Sequence, residues 1–207
     1  SLLFSSLEVI AYNQNRQRRD LKIYEFGKVY RQLENGYQED KKIALALCGR
    51  ANKEAWNTDT AANDIYRLKG AVCALLESLG LDALAEEVSD RDIFEYGLCI
   101  SSRKKAVVQL GSIASNLLKE FSIDQEVVYA EIDFDTLYQL AFKKELIVKP
   151  IPKFPSSRRD FALLVDQDVS FDALKEVAQK VERKILTQIN LFDVYEGKNL
   201  PAGKKSY

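Results

Sequence analysis

The chain has 207 residues and a net charge of −1, with 46% hydrophobic and 29% charged residues. These values are typical of a globular protein with one large domain or two small ones, and they exclude a chain-wide attraction to nucleic acid or membrane, so such binding requires a local basic patch. No apolar run is long enough to cross a bilayer, and the absence of histidine removes Ser-His and Cys-His catalysis and most zinc sites.

The first part of the sequence predicts an antiparallel α+β unit. Apolar residues at helical spacing predict a helix over Leu2–Asn15, and a basic cluster of Arg16, Arg18 and Arg19 follows it. Runs of β-branched and aromatic residues predict two hairpins and a fifth strand: Leu21–Tyr30 with Lys42–Cys48 around Asn35-Gly36, Tyr96–Ser101 with Ala106–Leu110 around Ser102–Lys105, and Val127–Ile132. Three further helices are predicted over Asp64–Leu79, Asn116–Phe121 and Phe134–Phe142.

The helix over Asp64–Leu79 has the clearest pattern and is expected to pack on one face of the sheet. Its apolar stripe consists of Ile65, Leu68, Val72, Leu75 and Leu79. We expect Asn63 to cap its start and Gly80 to end it.

The segment Lys149–Pro155 contains three of the four prolines and predicts a boundary between domains 1–148 and 149–207. A βαβ pattern follows, with strands over Asp160–Val165 and Thr187–Tyr195. Between them, Ser170 caps a helix whose inward-facing residues are expected to be Phe171, Leu174, Val177, Ala178 and Val181. A third strand would begin at Gly203–Tyr207, so we expect the first two strands to lack the strand that joins them. This half-domain is then expected to be disordered, swapped between copies or completed by further residues.

Other absences narrow the function. The sequence contains neither of the common glycine-rich phosphate-binding motifs. The three cysteines, Cys48, Cys73 and Cys99, lie far apart in apolar stretches and predict reduced thiols in a cytosolic protein. The chain also contains no methionine, so we expect it to be part of a longer protein.

Six stretches in order along the chain carry a family resemblance. They are Ser1–Leu3 with Ala11–Arg16, Asp20–Tyr30, Trp56–Asn57 with Asp64–Gly70, Leu110–Gly111 with Phe121 and Ile123, Pro152–Asp160, and Asn190–Gly197 with Pro201 and Gly203–Ser206. Together they resemble the bacterial phenylalanyl-tRNA synthetase β-subunit family, and Pro152–Asp160 is the most specific of them. One departure is Ala114-Ser115, where the family often has His-Pro.

The resemblance implies a fold and a role. Residues 1–148 are expected to form a non-catalytic, class II synthetase-like module, an antiparallel sheet flanked by helices. Residues 149–207 are expected to form part of a ferredoxin-like anticodon-binding domain with the pattern βαββαβ. The implied role is structural, subunit-assembling and tRNA-binding, within a cytoplasmic enzyme that attaches phenylalanine to its tRNA. The implied partners are the α subunit, in an α2β2 heterotetramer, and phenylalanine tRNA.

The same resemblance predicts that this chain does not adenylate. Arg31 falls where a class II motif-two arginine could lie, but Leu33 replaces its companion glutamate. At the motif-three position, Glu131, Asp133 and Thr136 stand where glycines and an arginine are needed, and carboxylates there would repel a triphosphate. We therefore expect no catalytic residue, metal or cofactor in this fragment, while the whole enzyme uses ATP and magnesium with adenylation in the α subunit.

Basic residues near the anticodon-like domain are the candidates for tRNA contact through phosphate. They are Lys153, Arg158, Arg159, Lys198, Lys204 and Lys205. The alternatives are a solvated rim, or an Arg159 paired with Asp160 or Asp193. Phe192 and Tyr195 are either base-stacking residues or ordinary strand residues. An alternative function is an independent RNA-binding module with no ligase role, whereas a self-sufficient enzyme is disfavoured by the absences above.

Overall fold

The computed structural model describes residues 1–34, 36–81, 84–142, 153–197 and 200–207. The chain divides into two compact units, Ser1–Val148 and Lys149–Tyr207. Of the proline-rich segment that was predicted as a boundary, only residues 153–155 are among those described.

The first unit contains a six-stranded sheet in which every neighbouring pair of strands is antiparallel, as the sequence predicted. Its strands are β1 Leu21–Leu33, β2 Gly36–Cys48, β3 Leu84–Val88, β4 Phe94–Ser102, β5 Lys105–Ile113 and β6 Val127–Asp133. They are arranged in the order β1-β2-β6-β5-β4-β3. The helices of the unit are α1 Leu3–Gln14, α2 Ile65–Ser78, α3 Ser115–Glu120 and α4 Phe134–Ala141.

Both faces of this sheet are covered, and the two-residue period of the strands sorts the core into two layers. Val128, Ala130 and Ile132 of β6 belong to a buried cluster with α2 and α4. The alternate residues Val127 and Tyr129 belong to a second cluster, with α1 and α3 on the other face. The central strands therefore have apolar residues on both faces, which is why they read as nearly continuous hydrophobic runs.

The start of α1 approaches β1 closely because Gly27 has no side chain. A Cβ atom built on Gly27 would lie 2.6 Å from Cδ2 of Leu2, which is closer than real contacts allow. Leu2 is buried at this contact. The glycine therefore makes room for the residue that leads into the first helix.

The two predicted hairpins form, but their lengths and turns differ from expectation. β1 and β2 extend to the pair Leu33–Gly36, so the strands run further than predicted, and Asn35 of the expected turn lies outside the described residues. β4 and β5 pair up to Ser102–Lys105, which leaves a two-residue turn instead of four. Both turn residues, Arg103 and Lys104, are left-handed, with φ of 50° and 64°. That geometry matches the twist of a two-residue hairpin. Arginine and lysine are not typical of such turns, so the sequence did not indicate this one.

The sequence analysis missed β3, which is the edge strand beside β4. Its sequence, Leu-Ala-Glu-Glu-Val, has no alternation of apolar and polar residues, and all its residues except Leu84 are exposed. An edge strand with charged side chains discourages further pairing, so its sequence carries little strand signal.

The predicted cap of α2 is wrong by one residue. The carboxylate of Asp64 accepts the hydrogen bond from the Arg67 amide at 2.8 Å, so Asp64 is the N-cap. Asn63 is buried instead, and its side-chain amide donates to backbone carbonyls at the end of β2 and in the two residues after it. It therefore satisfies carbonyls of the segment Cys48–Arg50 instead of a helix end.

The predicted end of α2 is confirmed. Gly80 has a φ of 79°, and its amide donates to the Glu77 carbonyl at 2.8 Å. The Leu81 amide donates to the Leu76 carbonyl at 2.9 Å, which completes a Schellman motif. The predicted stripe is wrong at its last position, because Leu79 is 40% exposed and Leu76 is buried in its place.

The second unit contains β7 Leu164–Asp166, α5 Phe171–Val181 and β8 Lys204–Ser206. The strand predicted over Thr187–Tyr195 is wrong, since only Tyr195 pairs, in a single bridge to Ser206. Because Ser206 also pairs with Leu164, β8 lies between β7 and Tyr195. The expectation that no strand would join the first two was therefore also wrong.

Helix α5 begins as predicted but is not buried as predicted. The Ser170 hydroxyl accepts a hydrogen bond from the Ala173 amide at 3.2 Å, which confirms the cap. However, none of the helix residues is buried, and Val177 and Val181 are 59% and 82% exposed. A two-stranded sheet with three residues in each strand offers little surface to cover an apolar helix face.

Candidate nucleic-acid interface and nucleotide-motif positions

Arg31, the candidate for a motif-two arginine, lies on the projecting part of the β1–β2 hairpin. Its Nε and Nη2 atoms donate to the same oxygen of Asp40, at 3.0 Å and 2.6 Å. The hydrogen bond from Arg31 lowers the pKa of Asp40, and a second one from Gln38 acts in the same direction. Arg31 is therefore an exposed arginine held in a cross-strand ion pair, and Leu33, at the companion position, is 53% exposed.

Glu131 sits at one of the motif-three positions and is held by three donors. Its Oε2 atom accepts hydrogen bonds from the Ser1 hydroxyl at 2.7 Å, the Leu2 amide at 3.1 Å and the Tyr129 hydroxyl at 3.1 Å. Burial alone would raise the pKa of Glu131, but these hydrogen bonds outweigh it and lower the pKa. The pKa of Tyr129 is raised, first by burial and then by the adjacent charge of Glu131. This face of β6 therefore carries a fixed negative charge.

Asp133 and Thr136, the other motif-three positions, form the start of α4. One oxygen of Asp133 accepts the Thr136 amide at 2.7 Å, and the other accepts Lys42 Nζ at 2.5 Å. Burial opposes ionisation of Asp133, but the Lys42 and Thr136 hydrogen bonds lower its pKa. These residues therefore cap a helix and tie it to β2.

Three of the side chains discussed lie on one face of β6. Tyr129, Glu131 and Asp133 alternate along the strand and so share one face. Tyr129 is 1% exposed within the cluster that includes α1, and the first two residues of the chain bond to Glu131. Glu131 and Asp133 are thus held in hydrogen bonds at positions where, by the sequence comparison, an adenylating class II motif would need glycines and an arginine.

Arg158, in the second unit, is the predicted RNA-contact residue with the most defined surroundings. Its Nε donates to Asp160 at 2.8 Å, and its guanidinium carbon lies 5.7 Å from the centre of the Phe192 ring. Its side chain is 77% exposed. Arg159 donates to the Arg158 carbonyl at 3.1 Å, so among the described residues it is Arg158, not Arg159, that pairs with Asp160.

The remaining cations that were predicted to contact RNA differ in the groups that lie next to their charges. Lys204 pairs with Asp166 at 2.6 Å across β8 and β7. The ammonium of Lys205 lies 4.9 Å from the centre of the Tyr207 ring. Lys153 is exposed, and Lys198 lies outside the described residues. A phosphate would therefore compete with a carboxylate at Lys204 but not with the neutral ring at Lys205.

The basic cluster after α1 is engaged within its own unit. The Arg16 guanidinium lies 3.5 Å from the centre of the Tyr12 ring and donates to the Tyr12 carbonyl at 3.0 Å. Arg19 pairs with Asp124 at 2.5 Å. Arg16 and Arg19 therefore make contacts inside the first unit, at the end of α1.

Two family models match the chain in succession. Residues 1–134 match the phenylalanyl tRNA synthetase beta chain CLM domain, and residues 152–207 match the ferredoxin-fold anticodon binding domain. The chain belongs to the phenylalanyl-tRNA synthetase β-chain family. This confirms the resemblance seen in the sequence and the anticodon-domain assignment of the second part.

Curated relatives that match the whole length of this chain belong to the same family. Phenylalanine–tRNA ligase beta subunits of Bacteroides thetaiotaomicron and Porphyromonas gingivalis are 37% and 34% identical to the whole of this chain. The match covers 27% of each relative, so the chain spans about a quarter of the length of those curated relatives. The chain is thus similar to one portion of a ligase subunit.

The chain also has structural neighbours among solved tRNA synthetases. A pyrrolysyl-tRNA synthetase from Desulfitobacterium hafniense superposes with a TM-score of 0.53 at 15% identity, covering 68% of this chain and 48% of that one. At this identity the likeness concerns the fold alone.

Two kinds of feature are absent from the parts of the chain that the structure describes. No helix there is long and apolar enough to cross a membrane. The same residues contain no group of three or more acidic, cysteine or histidine side chains placed to hold a metal ion.

Proposed function

We propose that this chain is a non-adenylating, RNA-contacting portion of the β subunit of a phenylalanine–tRNA ligase. The observation that carries the proposal is the ordered pair of family matches, residues 1–134 followed by residues 152–207. In the proposal the first unit is a class II synthetase-like module with a structural role, with domain limits of 1–148 and 149–207. The second unit is part of an anticodon-binding domain.

The proposal that the first unit does not adenylate rests on charge and space. ATP binding by a class II site needs cations against the phosphates and an open strand face. Here Glu131 and Asp133 remain ionised through their hydrogen bonds, and Arg31 is committed to Asp40. A triphosphate on this face would meet two carboxylates and a buried Tyr129.

The adenylation step is therefore assigned to another chain. In the proposed enzyme the α subunit binds ATP and magnesium, and two copies of each subunit assemble in the cytoplasm. The first unit supports this assembly, and the second holds phenylalanine tRNA. The support is the similarity to named beta subunits of a tRNA ligase, of which this chain covers 27%.

The RNA contact is assigned to the cations of the second unit, Lys153, Arg158, Arg159, Lys198, Lys204 and Lys205. Its support is the match of residues 152–207 to an anticodon-binding domain. With a chain net charge of −1, long-range attraction is small, so binding should depend on a few local phosphate contacts.

The adenylation proposal is tested by ATP–pyrophosphate exchange. The purified 207-residue chain should show no phenylalanine-dependent exchange, whereas the same chain mixed with the α subunit of its enzyme and the rest of the β subunit should show it. Exchange by the chain alone would overturn the assignment of the chemistry to another chain.

The RNA proposal is tested by a salt titration with a labelled phenylalanine-tRNA anticodon stem-loop. If about three phosphates are neutralised, log affinity should fall with log salt with a slope of roughly −2 to −3. An affinity independent of salt would contradict phosphate contact by these residues.

A further inference from the structure

The two edge strands of the six-stranded sheet differ in how they are protected against further pairing. β3 has five residues and two of them are glutamates, which is a common way to discourage another strand. β1 has 13 residues and no proline, and its register with β2 continues without a shift from Leu21 to Leu33. Among the described residues, no strand pairs with its outer side. β1 therefore presents a long, regular edge with unpaired backbone groups.

The three cations of β1 do not guard this edge. Lys22 Nζ donates to a backbone carbonyl in the segment after β2 at 2.6 Å. Lys28 lies 2.8 Å from Glu39 of β2, and Arg31 lies 2.6 Å from Asp40 of the same strand. All three charges are therefore drawn toward the β2 side, whereas a protective cation would stand over the open edge.

One face of the same strand carries exposed aromatic rings. Tyr24, Phe26 and Tyr30 lie at even positions of β1, so they share a face, and they are 73%, 67% and 63% exposed. The rings of Tyr24 and Phe26 meet edge to face, with their centres 6.0 Å apart. Three rings exposed to this degree present roughly 300–550 Å² of surface. That is comparable to the largest apolar patch on a typical monomer, which often marks an interaction site.

An extended polypeptide suits this surface better than a nucleic acid does. The open backbone groups of β1 can hydrogen-bond a further strand, and the rings can pack against apolar side chains at every second position of that strand. A single-stranded nucleic acid would need free cations beside the rings. Lys28 and Arg31 are instead each paired with a carboxylate of β2, so the charges favour a protein strand.

We propose that the outer edge of β1 is covered by a seventh strand from the portion of the same β subunit that lies outside these 207 residues. The chain covers 27% of the Bacteroides thetaiotaomicron relative, so most of such a polypeptide is available for this contact. A strand from the same polypeptide covers the edge as the subunit folds, which removes the risk of aggregation that an open edge carries. The inference rests on the proposed function, because it specifies how the first unit is joined to its own subunit.

The first test uses the complete enzyme with the photocrosslinking residue p-benzoylphenylalanine in place of Phe26. Irradiation should join this position to a segment of the β polypeptide outside this chain, which mass spectrometry of the digested product identifies. Enzyme prepared from mixed unlabelled and isotope-labelled β subunits separates a product within one subunit from a product between two copies. The matched control carries the same residue in place of Val88, which is 85% exposed on β3, and should give no such product.

Amide hydrogen exchange gives a second measurement that needs no substitution. The amides of β1 that point away from β2 should exchange at least about tenfold more slowly in the complete β subunit than in the 207-residue chain. The alternate amides of β1, which already bond to β2, should differ much less between the two proteins. The amides of β3 serve as the control edge and should also change little.

Every other outcome counts against the added strand. A cross-link from position 26 to the α subunit, to a second β subunit or to tRNA would overturn the inference, and so would the absence of any cross-link there. A cross-link within the subunit with unchanged exchange at β1 would also overturn it, because the rings would then be covered without strand pairing. These results leave the proposed function intact, which fails instead if the chain alone carries out pyrophosphate exchange.

Discussion

The two units of the chain differ in how their amphipathic helices are covered. Helix α2 buries Ile65, Leu68, Val72 and Leu76 against a six-stranded sheet, whereas none of the residues of α5 is buried. Both helices were predicted from the same kind of apolar stripe. The difference shows that periodicity identifies a helix, while its burial depends on how much sheet is available to receive it.

The largest expected effect compares the cores of the two units directly. Leu68→Ala should cost about 2–5 kcal/mol, because Leu68 is fully buried and the surrounding core cannot close the cavity completely. Val177→Ala, at a 59% exposed position of α5, should change stability by no more than about 0.5 kcal/mol. Amide hydrogen exchange within each helix measures both. Equal losses would mean that α5 is as well packed as α2.

A smaller effect is expected at the caps of α4 and α5. Asp133→Ala removes a cap and a half-buried ion pair with Lys42, and should cost about 1–3 kcal/mol. Ser170→Ala removes a cap alone and should cost about 1 kcal/mol. The matched control is Asp133→Asn, which keeps the cap oxygen and should fall between wild type and alanine. Urea unfolding followed by circular dichroism gives these differences, and a larger loss for Ser170→Ala would reverse the comparison.

The units should also respond differently to acid. The folded-state pKa values of Glu131 and Asp133 lie below their ordinary values, so their contribution to stability is complete above the ordinary pKa and is lost as pH falls through the folded pKa. The free energy of unfolding of the first unit should therefore decline below about pH 5. Glu131→Gln should make that decline shallower. In the second unit the pKa of Glu182 is lowered by backbone amides, but solvent screening at its surface position makes the corresponding effect small.

The smallest effect separates two cations within the second unit. Arg158→Ala should make the salt slope of stem-loop binding shallower by roughly 1, because a phosphate contact is lost. Lys204→Ala should change the slope less, since Lys204 already pairs with Asp166 at 2.6 Å. Titration of both variants over the same range of salt concentrations shows which substitution changes the slope more. A larger change for Lys204→Ala would mean that this ion pair opens on binding.

Much of the first unit could be predicted because the local conformational preferences of its residues agree with the positions that they take in the fold. Buried strands such as β6 have apolar residues on both faces, and Gly80 ends α2 where a left-handed residue is needed. The predictions that were wrong concern residues whose conformation depends on contacts with distant parts of the chain. Asn63 was taken for a cap because its side-chain chemistry suits one, yet it serves carbonyls of a distant loop. The turn at Arg103 and Lys104 takes a conformation that its side chains disfavour, because the register of β4 and β5 requires it.

The candidate site was predictable in composition but not in geometry. Residue type alone identified Arg158 as a phosphate-binding candidate and Phe192 as a stacking candidate. The sequence could not show that these two residues meet, because their contact depends on the fold of the segments that carry them. Likewise, the residue type of Lys204 does not predict its ion pair with Asp166.

The absence of a side chain at Gly27 links packing at the sheet edge to the protonation of an acid two strands away. Leu2 occupies the space above Gly27, and the amide of the same residue helps to hold the Glu131 carboxylate. A methyl group at Gly27 would displace the end of the Leu2 side chain, and the amide contact to Glu131 would weaken only if the Leu2 backbone moved as well. The pKa of Glu131 would rise in that case alone, so a titration of this single acid distinguishes a side-chain adjustment from a backbone movement at the junction between α1 and β1.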